Sequence, residues 1–335
     1  MVVSLVTGAT GLIGSHLVET LVMRGETVRA LVRPTSEKRR LRELGVDIRI
    51  GDLADAAALM AVAKGANRIF HCAALVRDWG VEEAFRQANV HGVRNILAAA
   101  TRAKVDKFVH LSTTDIYGFV GKRVTEKERP APRGFPYADS KIEAESLVWN
   151  HRRRVGLPVC VIRPGTVYGP QAHLFVTDML EAIRNREAIL IDGGHHIAGL
   201  TYVGNLVDAL ILAADSKVAV GEAYNVSDDS DVTWQQYLYT LADVAELPRP
   251  TRSHPHWFAY LLATAWENYY HLTGRTERPP MTRMMVETMG TDQVFSIEKA
   301  KEQLGYRPRV SFEEGMQHTA AWLRSEGLLF PQLRR

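Results

Sequence analysis

A glycine triplet stands near the start of the chain, and its position restricts what can follow. Residues 7–14 read Thr-Gly-Ala-Thr-Gly-Leu-Ile-Gly, directly after the apolar run 2–7 and directly before a helical pattern at 12–24. In a strand–turn–helix unit each glycine has a separate reason. Gly8 permits the tight turn, Gly11 lets the backbone approach a pyrophosphate, and Gly14 lets the helix lie close to the strand. Thr10, Leu12 and Ile13 belong to the same loop and first helical turn, whose N–H groups face an anion.

The pattern that follows agrees with such a unit. Apolar runs at 2–7, 27–32, 47–50, 68–72, 107–112 and 158–163 are continuous, as in strands buried on both faces. Helical patterns at 12–24, 55–64, 81–103 and 137–155 alternate with them. Six strands with crossover helices predict an α/β fold, a Rossmann-type doubly wound parallel sheet. Beyond Gly165 the spacing predicts helices near 172–186, 203–215, 232–246, 255–273, 296–304 and 312–326. The expected organisation is a dinucleotide-binding domain over 1–165 and a smaller C-terminal α/β substrate lobe over 166–335. That lobe is discontinuous and returns to the core. The stretch 250–295, rich in Trp, Tyr and Met, is the least regular.

The strand ends supply the remaining cofactor contacts. An acid usually follows the second strand where a free ribose hydroxyl is bound. Arg33 stands there, with Lys38 and Arg29 near in sequence. A guanidinium suits a 2′-phosphate, so NADP(H) is favoured over NAD(H). Asp52 and Leu53 end the third strand, where the carboxylate would accept from the adenine amino group. Ala73 and Ala74 are small enough to let a cofactor lie against the fourth. Pro164, after the sixth, is also placed in the cofactor site. No metal site is expected.

Tyr137 and Lys141 are spaced i, i+4 on one helix face, downstream of Leu111-Ser112-Thr113-Thr114. A phenol of ordinary pKa, about 10, is a poor base at neutral pH. A neighbouring ammonium and a bound nicotinamide cation would stabilise phenolate. Tyr137 could then exchange a proton with a carbinol or carbonyl oxygen that Thr113 holds, and Lys141 could also bind the nicotinamide ribose.

With these residues in view, the chain resembles an extended short-chain dehydrogenase/reductase of the NAD-dependent epimerase/dehydratase superfamily. The similarity runs through TGATGLIG (7–14), GDLAD (51–55), HCAA (71–74), ANVHGVRNIL (88–97), HLSTTDIYG (110–118), YADSK (137–141), RPGTVYGP (163–170), TYVGNLVDA (201–209), AYNVSDD (223–229) and LGYRPRVSFEEG (304–315). The resemblance places the family's catalytic hydroxyl on Thr113, with Ser112 its neighbour. It places the family's helix asparagine on Asn89, with a structural and a catalytic reading open. Sugar-nucleotide members carry an Asn where this chain has Thr166 and an Arg where it has Ala198. His195 and His196 are weaker phosphate anchors. The 3-beta-hydroxysteroid dehydrogenase and dihydroflavonol reductase-like branch is closer, which implies hydride transfer to or from a secondary alcohol or ketone on a steroid-, flavonoid- or lipid-like substrate. The alternative is a sugar-nucleotide epimerase or dehydratase with the same Tyr and Lys. A regulator without turnover is disfavoured, because both residues are present.

Composition narrows the partners. Of 335 residues, 46% are hydrophobic and 24% charged, which excludes a disordered or coiled-coil chain. A net charge of +3 is too small to argue for nucleic acid. Cys72 and Cys160 sit in apolar runs and read as buried thiols of a reducing compartment. Residues 1–6 have no basic segment of a signal peptide. The apolar run 256–266 is interrupted at Glu267 and falls short of the roughly 20 residues a spanning helix needs. A cytoplasmic enzyme is expected, with a small-molecule substrate and a homodimer as its assembly. The aromatic segment 257–272 reads as core, as a lid with 258, 261, 262, 265, 269 and 272 on one stripe over the cleft, or as a peripheral membrane contact.

Overall fold

The structure, a computed structural model, describes residues 2–329. Met1 and the last six positions of the expected C-terminal lobe, 330–335, lie outside the described residues. The first six strands are β1 (Val3–Thr7), β2 (Thr27–Val32), β3 (Asp47–Ile50), β4 (Arg68–His71), β5 (Lys107–Leu111) and β6 (Val159–Pro164). Five short ones follow: β7 (Thr166–Tyr168), β8 (Leu190–Ile191), β9 (Leu200–Tyr202), β10 (Ala223–Val226) and β11 (Ser253–His254). The main sheet has the order β10-β6-β5-β4-β1-β2-β3, parallel throughout.

The residues explain this order. β4, β5, β6 and β10 are buried along their whole length, as strands covered on both faces must be. Helices Leu12–Met23 and Val203–Asp215 cover one face, where Leu17, Leu21, Leu206 and Leu210 meet the strands. Helices Ala56–Ala63, Gly92–Ala103 and Pro136–Val155 cover the other, through Leu59, Leu97 and Val148. A third apolar cluster, around Trp234, Tyr237 and Tyr168, is built by the elements beyond β6.

The sheet has seven strands where six were expected. β10 is short and half polar, Ala-Tyr-Asn-Val, so nothing in its local pattern marked it as buried. It pairs with β6 in register Asn225 to Arg163, and Asn225 is satisfied there by the Tyr117 hydroxyl at 2.7 Å. The chain order reverses between β1 and β4, so a crevice opens at the carboxyl ends of these strands.

A buried ion pair ties the sheet to the Pro136–Val155 helix. Arg163 donates through Nε to Glu145 at 3.1 Å, its Nη2 also reaches that carboxylate, and its Nη1 meets the Tyr117 hydroxyl at 2.6 Å. Arg163 holds the Glu145 carboxyl below its ordinary pKa, although burial alone would raise it. The helix Arg283–Met289 was not expected. The 82–103 run is continuous, but Arg86–His91 forms a π-helical turn, a feature frequent at functional sites.

Candidate active site

A cleft of about 620 Å³ lies in that crevice. Gly8, Gly11, Leu12, Ile13 and Gly14 form one end of its floor. Gly8 has φ +74°, and a Cβ there would stand 2.7 Å from the Ala73 nitrogen. At Gly14 a Cβ would stand 2.1 Å from the Gly8 carbonyl oxygen. Gly11 is different. A Cβ there would meet only the Gly8 oxygen, at an ordinary 3.4 Å. No tight protein contact demands glycine at 11, which fits a ligand lying against it. The Leu12–Met23 helix has no side-chain cap and no acidic residue in its first turn. Its orphan N–H groups are therefore open to an anion. The cradle fits a dinucleotide pyrophosphate.

The other expected contacts divide into two sets. Ala74 and Pro164 line the cleft. Ala73 lies against Gly8, and Thr10 is exposed at the loop. Arg33, Asp52 and Leu53 are outside the cleft lining, at the ends of β2 and β3. Arg33 and Asp52 are exposed, while Leu53 packs against the backbone of Gly92. Lys38 closes the 33–38 loop, donating to the carbonyls of Pro34 at 2.7 Å and Ser36 at 2.6 Å. Arg29 is engaged elsewhere, with Asp47 at 2.9 Å and the carbonyls of Val62 and Lys64. It does not join Arg33.

Thr113, Tyr137 and Lys141 all line the cleft and are all buried. Tyr137 sits in the first turn of the Pro136–Val155 helix, and Thr113 just past β5. The Thr113 hydroxyl favours ionisation of the Tyr137 phenol and accepts from the Asp115 backbone at 3.2 Å. Burial pushes the phenol well above its ordinary pKa, and the Asp115 carboxylate adds to this. Burial raises Asp115 itself to about 6. Burial also lowers Lys141 to about 8, against the opposing pull of Glu145, and its Nζ donates to the Leu111 carbonyl at 2.6 Å. Asn89 takes the structural reading. Its amide brackets Leu75, accepting from its N–H at 2.7 Å and donating to its carbonyl at 3.0 Å, and it donates to Ser140 at 2.9 Å.

The opposite wall contains residues outside the recognised motifs. Trp79 lines the cleft and meets His271 with ring centroids 4.7 Å apart. Arg278 reaches across to Asp78, Nε to Oδ1 at 2.8 Å, and Thr282 donates to the same carboxylate at 2.7 Å. Val76, Phe175, Met284 and Met285 complete an apolar side. Thr166 lines the cleft, whereas Ala198 is fully buried elsewhere. His195 and His196 are not in the lining, and His196 faces Asp292 at 3.3 Å. No motif pointed to Asp78 or Arg278, because their partnership exists only across 200 residues of chain.

The aromatic segment corrects an expectation. It forms one helix, His256–Leu272, but none of its residues lines the cleft. Its buried face is Ala259, Ala263, Glu267 and Tyr270. Residues 261, 265, 269 and 272 of the expected stripe are exposed. Glu267 turns inward because Arg283 meets it, Nε to Oε2 at 2.6 Å, and the Arg283 backbone N–H donates at 2.7 Å.

Comparison with known proteins agrees with the geometry. The model of the NAD dependent epimerase/dehydratase family matches residues 4–227. The chain belongs to that family. Among its relatives, the 4-hydroxy-2-methyl-3-oxo-4-farnesyl-3,4-dihydroquinoline-1-oxide ketoreductase of Stigmatella aurantiaca is 30% identical over 93% of each chain. The 2-alkyl-3-oxoalkanoate reductase of Stenotrophomonas maltophilia is 30% identical, over 95% of this chain and 98% of that one. Among solved structures, the UDP-glucose 4-epimerase of Thermus thermophilus, in complex with NAD, is 27% identical with a TM-score of 0.74, over 96% of this chain and 99% of that one. The family fold is an extended short-chain dehydrogenase/reductase with a nicotinamide dinucleotide site. Among the described residues no helix is long and apolar enough to cross a membrane, and no group of three or more His, Cys, Asp or Glu could hold a metal ion.

Proposed function

We propose that the chain is an NADP(H)-linked ketoreductase whose substrate carries its carbonyl on an apolar body. The observation that carries this reading is the cleft wall facing Tyr137. Beyond the glycine floor its apolar surface is Val76, Trp79, Phe175, Met284 and Met285, and its polar groups include Arg77, Gln171 and His173. A sugar diphosphate enclosed there would need cations or oriented amides. Position 166 offers a threonine, position 198 is a buried alanine, and Arg278 is already bound to Asp78. The names of the two reductase relatives also join an oxo group to a farnesyl or alkyl chain.

The residues support reduction. When bound, the nicotinamide supplies the hydride. At rest Tyr137 is a neutral phenol, since burial and Asp115 both oppose its ionisation. It is thus a proton donor for a ketone oxygen as negative charge develops there. Thr113 orients that phenol and can hold the same oxygen. The Lys141 ammonium stabilises the phenolate left behind. Arg33 at the end of β2 supports the choice of the 2′-phosphate form. Exposed Trp257, Leu261 and Leu272 offer apolar surface for a peripheral lipid contact, which co-sedimentation with vesicles would test.

The deciding experiment is NADPH oxidation by the purified chain against a panel of apolar ketones, beside UDP-glucose with NAD. Net oxidation with an apolar ketone is the expected result. Conversion of the sugar nucleotide without net change in cofactor would overturn the reading in favour of an epimerase.

A further inference from the structure

We infer that a side chamber behind the cleft receives an unbranched aliphatic chain of the substrate, an inference that rests on the ketoreductase reading. The chamber has a volume of about 170 Å³. It is bounded by the Asp178–Arg184 helix, by β8 and by the 280–289 segment. Met179, Ile189, Ile191, Leu238, Met281 and Met289 face it. Leu174, Asp178, Arg278 and Met285 line both this chamber and the cleft. The two spaces are therefore adjacent, and these four residues form the boundary, the neck, that a limb of a molecule in the cleft would pass to enter the chamber.

The size of the chamber selects its occupant. Sites for whole small ligands run from about 300 to 1,000 Å³. At about 170 Å³, against about 620 Å³ for the cleft, the chamber suits one limb of a ligand. Its chemistry selects further. Methionine is unbranched and polarisable and repacks easily around irregular apolar shapes. Four methionines, at 179, 281, 285 and 289, surround this space. Glu187 is at the rim and exposed.

The charges at the neck do not contradict an apolar limb. Arg278 is paired with Asp78, whose side chain is only 5% exposed, and Asp178 lies close enough to act on the same guanidinium. The Arg278 and Thr282 bonds to Asp78 tie the segment that bounds the neck to the 78 loop. Leu174 and Met285 remain as the apolar surface along which a chain passes. Apart from Asp178 and Arg278 at the neck and Glu187 at the rim, every residue that lines the chamber is apolar. The chamber thus measures length rather than reading a functional group.

The test is a homologous series of methyl ketones, from butan-2-one to tridecan-2-one, with NADPH. Each buried methylene contributes about 0.8 kcal/mol, about fourfold in kcat/KM. The expected result is a rise of about that slope that stops once the chamber is full. Ala182→Phe and Met281→Trp, at half-buried positions of the wall, fill the space and should flatten the slope. Met281→Ala enlarges it and should move the plateau to longer ketones. The readout is the slope against length, which a general loss of activity does not alter. A flat series in the unmodified protein, or an unaltered slope and plateau in all three variants, would overturn the chamber. If no ketone is reduced at all, the ketoreductase reading fails. The chamber is then read separately from thermal stabilisation by decan-1-ol. Stabilisation lost in Ala182→Phe supports it, and no stabilisation of the unmodified protein overturns it.

Discussion

At Gly8 and Gly14 a single added carbon would collide with backbone at 2.7 and 2.1 Å. Across the cleft, the Asp78–Arg278 clasp joins two side chains 200 residues apart, with Arg278 44% exposed. The first region is specified by backbone geometry, so its residues are dictated by their immediate neighbours. The second is held by long-range side-chain pairs over apolar surface, where many combinations could enclose the same volume. A chain built this way keeps one way of holding a nucleotide and can present different walls to different substrates.

The two halves also differ in how they bury charge. Glu145 and Arg163 are sealed under the Pro136–Val155 helix, with side chains 3% and 6% exposed. Glu267 and Arg283, under the aromatic helix, leave the guanidinium 33% exposed.

Predictions that bear on this contrast can be ordered by size. Tyr137→Phe should reduce ketone turnover by about a hundred- to ten-thousandfold while NADPH affinity stays within about twofold, because in the proposed reaction the phenol acts on the substrate oxygen and the glycine floor holds the cofactor. Fluorescence titration and steady-state kinetics check the two halves of that statement. Next, Arg163→Met should cost about 3–5 kcal/mol in urea unfolding, since it strands a buried carboxylate. Arg283→Met should cost less, about 1–3 kcal/mol, because water reaches that pair. Equal losses would remove the distinction between floor and wall.

Arg33→Asp should reduce the preference for NADPH over NADH by about ten- to hundredfold, the value of a charge-assisted phosphate contact. Equal dissociation constants in the unmodified protein would show that Arg33 does not read the ribose. A separate effect, read against pH, concerns Asp228, which burial pushes up to about 7 despite hydrogen bonds from Asn205 and the Tyr202 backbone. Its folded pKa lies above the unfolded value of about 3.9. The folded state therefore holds the proton more tightly between those values, and stability from this group is lost as pH rises from about 4 to about 7. Relative to Asp228→Asn, the unmodified protein should show that decline in chemical denaturation across the same window.

Much of the floor was legible from the chain alone. The glycine spacing, the i, i+4 pair Tyr137 and Lys141, and the apolar runs of β1 to β6 are local signals, and each concerns a backbone or helix face that neighbouring residues define. β10 escaped because Asn225 is polar, and its burial depends on Tyr117 from another part of the chain. Asp115, which acts on the Tyr137 phenol, escaped because an acid beside the Ser-Thr run reads as an ordinary turn residue. Asp78 and Arg278 carried no signal for the same reason of distance.

The aromatic helix His256–Leu272 shows where the division falls. Its existence and length were determined by its own residues, since Trp, Leu, Ala and Tyr without Pro or Gly sustain a helix there. Which face turns inward was not. Apolar spacing favoured 258, 261, 262, 265, 269 and 272, yet 259, 263, 267 and 270 are the buried positions. A carboxylate at 267 is costly to bury alone and becomes tolerable only when Arg283 folds against it. That partner is supplied by the fold and not by the helix, so tertiary structure decided the orientation and left Trp257, Leu261 and Leu272 facing outward.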